Sequence, residues 1–200
     1  MEARLVLLLP RVDGRKRSRG SVYTVAVREA DGQTERNLYV EFLRKANAWD
    51  HERREPQLLE LLRLFEQVYE RGPGELGARR GSGLRSEGKA FGLPLARYEG
   101  WEDALPPELR ERAAQLTGLD ALRLYCYVVG DNLILFGGNV KRTAQVYEPD
   151  SNVLAEFNQA NRLAVAIEAL ARAGRLRNAG KTGRIDLGHL GWFGVENREQ

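Results

Sequence analysis

The sequence predicts an α+β fold in which helices pack on an antiparallel sheet, and three observations carry that prediction. Two pairs of apolar runs are joined by turn signals, Asp31-Gly32 in one and Gly130-Asp131-Asn132 in the other, which is the pattern of β-hairpins. Two longer segments, 56–71 and 149–173, repeat their apolar residues at three- and four-residue steps, the spacing of one helix face. With 200 residues, 42% of them hydrophobic, the chain has the material for one domain with a real core.

In chain order, MEARLVLLLPRV reads as a first short strand closed at Pro10. Its LVLLL is too short for a membrane span or a secretory core, so a cytoplasmic protein without a membrane partner is expected. DGRKRSRG (13–20) is a basic loop by composition. SVYTVAVRE and RNLYVEFL alternate apolar and polar residues around EADGQTE, which predicts a hairpin over 21–43. Pro56 suits a first helical position. Leu58, Leu61, Leu62, Phe65, Val68 and Tyr69 then form one stripe, and Gly72-Pro73-Gly74 stops the helix.

Residues 74–89 carry five glycines and four basic residues, the composition of an exposed loop. AFGLPLARYE follows as a strand that Pro94 marks as an edge or a bulge. PPELRERAAQL (106–116) predicts a further helix, stopped at Gly118. Two apolar strands come next, with Leu122, Leu124, Cys126 and Val128 on one face and Arg123, Tyr125 and Tyr127 on the other. Gly137-Gly138 marks a bulge or a close backbone approach. A long helix runs from Pro149-Asp150-Ser151 to about Ala173, with Gly174 as its stop. The glycine-rich tail that follows holds Trp192 and Phe193, which predicts that it docks.

Charge and composition narrow the chemistry. The net charge of +3 permits a polyanionic partner without demanding one. Arginine supplies most of the positive charge; lysine occurs only at 16, 45, 89, 141 and 181. That bias suits bidentate phosphate contacts and equally reflects a GC-rich coding sequence. Cys126 is the only cysteine, which excludes an intrachain disulfide, and its apolar strand favours a small core residue over a nucleophile. Two histidines and scattered carboxylates predict no metal site and no cofactor. GKT at 180–182 is not a phosphate loop, because its required first glycine falls on Arg175 and a helix, not a strand, precedes it.

Basic residues gather in two loops and at one strand end. Arg15, Lys16 and Arg17 lie in the first loop, Arg79, Arg80, Arg85 and Lys89 in the second, and Lys141-Arg142 just past the last strand. Around one sheet they would line a groove of positive potential, as a phosphate backbone requires.

From about residue 36 to 170 the chain resembles the RelE/HigB superfamily of bacterial toxins. LRLYCYVVGDNLILFGGNVKRT is similar to that family's apolar strand, Gly/Asp turn, second apolar strand, small residue and basic-basic-Thr ending. NVLAEFNQANRLAVAIEAL stands where the family's following helix stands, and ARRGSGLRSEGKAFGLPLARYE where it has a basic, glycine-containing approach to the next strand. The resemblance implies a RelE-like core over 36–173 with an insertion near 99–121. Residues 1–35 would then be an N-terminal elaboration and 174–200 a C-terminal one. The histidines that some members use for catalysis are missing from the matching positions.

The activity so implied is a toxin-type endoribonuclease acting without a metal. Its expected partners are RNA, including ribosome-bound mRNA, and a cognate antitoxin. Lys141, Arg142, Arg85, Arg97 and Tyr147 become its expected catalytic residues. Arg79, Arg80, Lys89, Arg123, Tyr125, Arg15, Lys16 and Arg17 become its expected RNA contacts. The alternative is a non-enzymatic module of the same fold that binds nucleic acid or protein. A structural subunit is a third possibility and predicts an exposed apolar surface around Trp192.

Overall fold

The computed structural model describes residues 1–9, 21–29, 32, 34–49, 55, 57–59, 61, 65, 85–87, 89–93, 121–141, 153–177 and 184–196. These form one mixed sheet with helices against both of its faces. Strands β1 (Glu2–Leu9), β2 (Ser21–Arg28) and β3 (Glu35–Asn37) precede helix α1 (Leu38–Asn47). Strands β4 (Arg85–Glu87), β5 (Ala90–Leu93), β6 (Ala121–Val129) and β7 (Asn132–Lys141) precede helix α2 (Leu154–Arg172). A single helical turn, α3 (Leu187–Leu190), and the two-residue strand β8 (Phe193–Gly194) end the described chain. The strand order is β4-β5-β6-β7-β2-β1-β8, with β3 also paired to β2.

The expected α+β class is present, but the sheet is not wholly antiparallel. Ser21–Thr24 of β2 run parallel to Asn132–Leu135 of β7, while Ala26–Arg28 pair antiparallel with β3. A parallel pair needs a long crossover, and just over a hundred residues separate β2 from β7. No turn signal in the sequence could announce it.

The hairpin expected over 21–43 is also corrected. Its second strand lasts only from Glu35 to Asn37, and the chain then turns into α1. Leu38, Val40 and Phe42 alternate like a strand, yet Leu38, Phe42 and Ala46 also repeat every four residues. The cap decides between them: Asn37 Oδ1 accepts from the backbone N–H groups of Tyr39 and Val40, satisfying two donors that the first turn leaves open. Val40, which a half-buried strand would have covered, is 58% exposed.

Most of the other described elements follow the sequence pattern. Glu55, Gln57, Leu58, Leu59, Leu61 and Phe65 are helical, in or beside the helix expected over 56–71. Arg85–Glu87 form a short strand where a loop was expected. The helix expected at 106–116 lies outside the described residues. The β6–β7 hairpin turns at Gly130, whose φ of 55° is the left-handed value that favours glycine. Between Leu124 and Cys126 the register shifts by one residue, so Phe136 and Gly137 of β7 together face Tyr125. This is the bulge that Gly137-Gly138 predicts.

Both faces of the sheet carry apolar residues, and each face is covered. On one, Phe42 and Ala46 of α1, with Leu61 and Phe65, cover Val22, Leu122, Leu124, Cys126, Leu133 and Leu135. On the other, Ala160, Leu163, Ala164 and Ile167 of α2 cover Tyr23, Val25, Tyr125, Ile134 and Phe136. The tail docks as expected. Phe193 and Val195 are buried in this second cluster, Ile185 N–H donates to the Tyr23 hydroxyl at 2.9 Å, and Val195 N–H donates to the Met1 carbonyl at 3.0 Å. No described helix is long and apolar enough to cross a membrane.

Cys126 is fully buried in the first cluster, so it is a core residue as expected. Burial alone drives its thiol pKa strongly upward. In the unfolded chain the thiol ionises near 9.0, while the folded chain keeps it protonated. The stability contributed is therefore complete below pH 9.0 and falls as pH rises above it, by about 1.4 kcal/mol per pH unit for this one group. Urea titrations at stepped pH should show this slope, and Cys126→Ala should flatten it between the thiol and phenol ranges. A native thiol that reacts readily with a disulfide reagent would contradict the assignment.

Candidate functional site

Two of the residues expected to line an RNA groove are not on a groove. Tyr125 is fully buried, its ring meeting Phe157 of α2 edge-on at 6.1 Å between centroids, and Arg123 is only 5% exposed. Alternation along β6 placed both on the face opposite Leu122 and Leu124, which is correct, but α2 lies over that face. Lys141 closes β7 opposite Ala121, and Arg85 opens β4 opposite Gly92. Arg142, Arg97, Tyr147, Arg79, Arg80, Arg15, Lys16 and Arg17 lie outside the described residues.

Near Lys141, the two helices are tied together around the end of β7. Glu156, in the first turn of α2, accepts from Lys45 of α1 at 2.6 Å and from Asn139 Nδ2 at 3.2 Å. Asn139 stands directly opposite Arg123 in the register. The Glu156 side chain is 12% exposed, so the bond to Lys45 is partly shielded from water. This cluster joins helices on opposite faces of the sheet and holds the strand end between them.

A second cluster is open to solvent. It forms where the β4–β5 turn meets the last turns of α2. Asn161 Oδ1 accepts from the backbone N–H groups of Lys89 at 2.6 Å and Ala90 at 3.0 Å, which fixes the turn against the helix. Seven residues further along α2, Glu168 receives Lys89 Nζ at 3.3 Å and Arg172 at 2.7 Å. Lys89 and Arg172 keep more than half of their side chains exposed. Ion pairs to exposed cations are worth only about 0–1 kcal/mol, so neither cation is locked to the carboxylate. Tyr127 of β6 adjoins them. Burial and the Glu168 carboxylate raise its phenol pKa, against an opposing pull from Arg172. The phenol therefore stays protonated at neutral pH and can donate a proton.

The exposed cluster thus holds a carboxylate, two cations and a protonated phenol. Among the described residues, Lys89 is the one expected RNA contact whose side chain lies within it. Lys141 is six residues along β6 from Tyr127, a separation of about 20 Å at roughly 3.4 Å per residue. Of the expected cations that are described, Lys141 thus ends its strand well away from the cluster at Lys89. Sequence reasoning missed Glu168 and Arg172. Their four-residue spacing was visible in the helix, but their neighbours Lys89, in the β4–β5 turn, and Tyr127, in β6, come from far away in the chain.

In comparisons with known proteins, no family model, no curated protein and no solved structure matches the chain.

Proposed function

We propose that the chain is a toxin-type endoribonuclease that cleaves single-stranded RNA without a metal, with the reacting phosphate at Lys89, Tyr127, Glu168 and Arg172. The observation that carries it is the placement of one carboxylate between two exposed cations, with a protonated phenol alongside. Glu168 takes the proton of the ribose 2′-hydroxyl as its oxygen attacks the adjacent phosphorus. The bond from phosphorus to the 5′-oxygen breaks, and Tyr127 supplies the proton that the departing oxygen needs. Lys89 and Arg172 offset the negative charge that grows on the phosphate oxygens in the transition state. The products are a 2′,3′-cyclic phosphate and a 5′-hydroxyl.

On the same proposal, Lys141 and Arg142 bind the strand a few nucleotides from the scissile bond instead of taking part in the chemistry. The resemblance to the RelE/HigB toxins adds ribosome-bound mRNA and an antitoxin as partners. One observation favours the second reading, a module of that fold that binds without cleaving: helices cover both faces of the sheet.

The two cations can be tested through salt dependence. Each phosphate contact on a single strand contributes about 0.7 to the slope of log affinity against log salt. Lys89→Ala/Arg172→Ala should lower that slope by about 1.4 for a short RNA oligonucleotide, with cleavage lost. An unchanged slope would remove RNA from this cluster. A reduced slope in a protein whose wild type never cleaves would leave the binding module.

A further inference from the structure

We propose that the free edge of β1 pairs with β1 of a second copy of this chain, antiparallel about a two-fold axis at Val6. Strand β8 covers β1 only at Glu2 and Ala3, and beyond Ala3 no described strand lies on that side. The phase of the ladder is set where Val195 N–H donates to the Met1 carbonyl. Odd-numbered residues of β1 therefore direct their backbone groups toward the β8 side, and Leu5 and Leu7 offer theirs outward. The uncovered stretch is LVLLL. Val6, Leu7 and Leu8 are half-buried, and Leu9 is 40% exposed. A groove of about 330 Å³ runs beside it, lined by Leu5, Leu7, Leu187, Leu190 and Trp192.

Soluble chains usually protect a sheet edge with charge or by keeping it very short. The opposite edge of this sheet does both, because β4 is three residues long and reads Arg-Ser-Glu. Between Leu5 and Leu9, β1 carries no charge at all. Charge also selects the occupant. Arg4 is held by Glu35 and Arg28 by Glu2, and both guanidinium groups lie against the Trp192 ring, at 5.0 and 4.1 Å from its centroid. Among the described residues the rim is thus electrically balanced and offers no excess charge to an acidic peptide or a polyanion.

A second β1 meets these conditions. With the axis at Val6, Leu5 and Leu7 of one copy exchange backbone hydrogen bonds with Leu7 and Leu5 of the other. Arg4 falls opposite Leu8, so no like charges meet. Pairing of β1 with a neighbour's β4 would instead set aliphatic residues against charged ones and would not close. The exposed cluster at Lys89 lies at the far end of the strand order and remains open in the dimer.

Sedimentation of the full chain over a broad concentration range should show a species of twice 22.6 kDa, and Leu7→Lys should return it to the monomer. Because Leu7→Lys could also unfold the chain, Val6→Cys supplies a second measurement. Residues at a two-fold, non-hydrogen-bonded position have Cα atoms about 4.5 Å apart, within disulfide reach. Mild oxidation should link Val6→Cys into a covalent dimer and leave Val40→Cys, on the exposed side of α1, unlinked. A folded wild type that stays monomeric throughout would overturn the proposal. So would a dimer that Val6→Cys does not link.

Discussion

Gly138→Ala is expected to destabilise the fold by at least about 3 kcal/mol, the upper end of what overpacking costs. A β-carbon at this position would lie 2.0 Å from the Arg123 carbonyl oxygen and 2.9 Å from the Leu124 Cα. Both neighbours are backbone of β6, and β6 cannot yield easily. It is paired on both sides by β5 and β7, and Leu122 N–H donates to Gln57 Oε1 at 2.6 Å. Gly137→Ala is the control, since its β-carbon would meet Leu38 Cβ at an ordinary 3.7 Å. Urea denaturation of the pair should therefore separate two adjacent glycines by several kilocalories. Equal stabilities would mean that the bulge is not where this register places it.

The second large effect is chemical. Glu168→Gln keeps the size and hydrogen-bonding shape of the side chain while removing the proposed base, so on that proposal RNA cleavage should fall by about 10²- to 10⁴-fold. RNA affinity should hold or rise, because the change removes a negative charge beside Lys89 and Arg172. The fold should be little affected, since both cationic partners of Glu168 are more than half exposed and such ion pairs contribute little to stability. Single-turnover cleavage measured alongside binding reads these separately. Loss of binding with Glu168→Gln would point to a structural role for the carboxylate.

The sequence showed some of this plainly. Turn residues and helical spacing announced the β6–β7 hairpin and α2, and the paired glycines announced the bulge. α1 was hidden because RNLYVEFL satisfies both periods, and only the Asn37 cap breaks the tie. Arg123 looked like a solvent-facing residue because a charge in an apolar strand usually is one. Which helix lies over which face depends on tertiary packing: α2 covers Tyr125, and Arg123 beside it is buried too. The candidate site was half legible. Lys89 came from its basic loop, but the convergence of Lys89, Tyr127 and Glu168 depends on how β5, β6 and α2 meet.

The proposed reaction is RNA cleavage through the 2′-hydroxyl, with the phosphate held by Lys89 and Arg172 beside Glu168. It is tested most directly by incubating the wild-type chain, in the presence of a strong chelator, with one end-labelled RNA oligonucleotide and its copy 2′-deoxy at the cleaved nucleotide. Cleavage of the first to a 2′,3′-cyclic phosphate and a 5′-hydroxyl, with the second intact at that position, is the predicted result. An RNA left intact by folded protein, or a 2′-deoxy copy cut at the same position, would contradict the account.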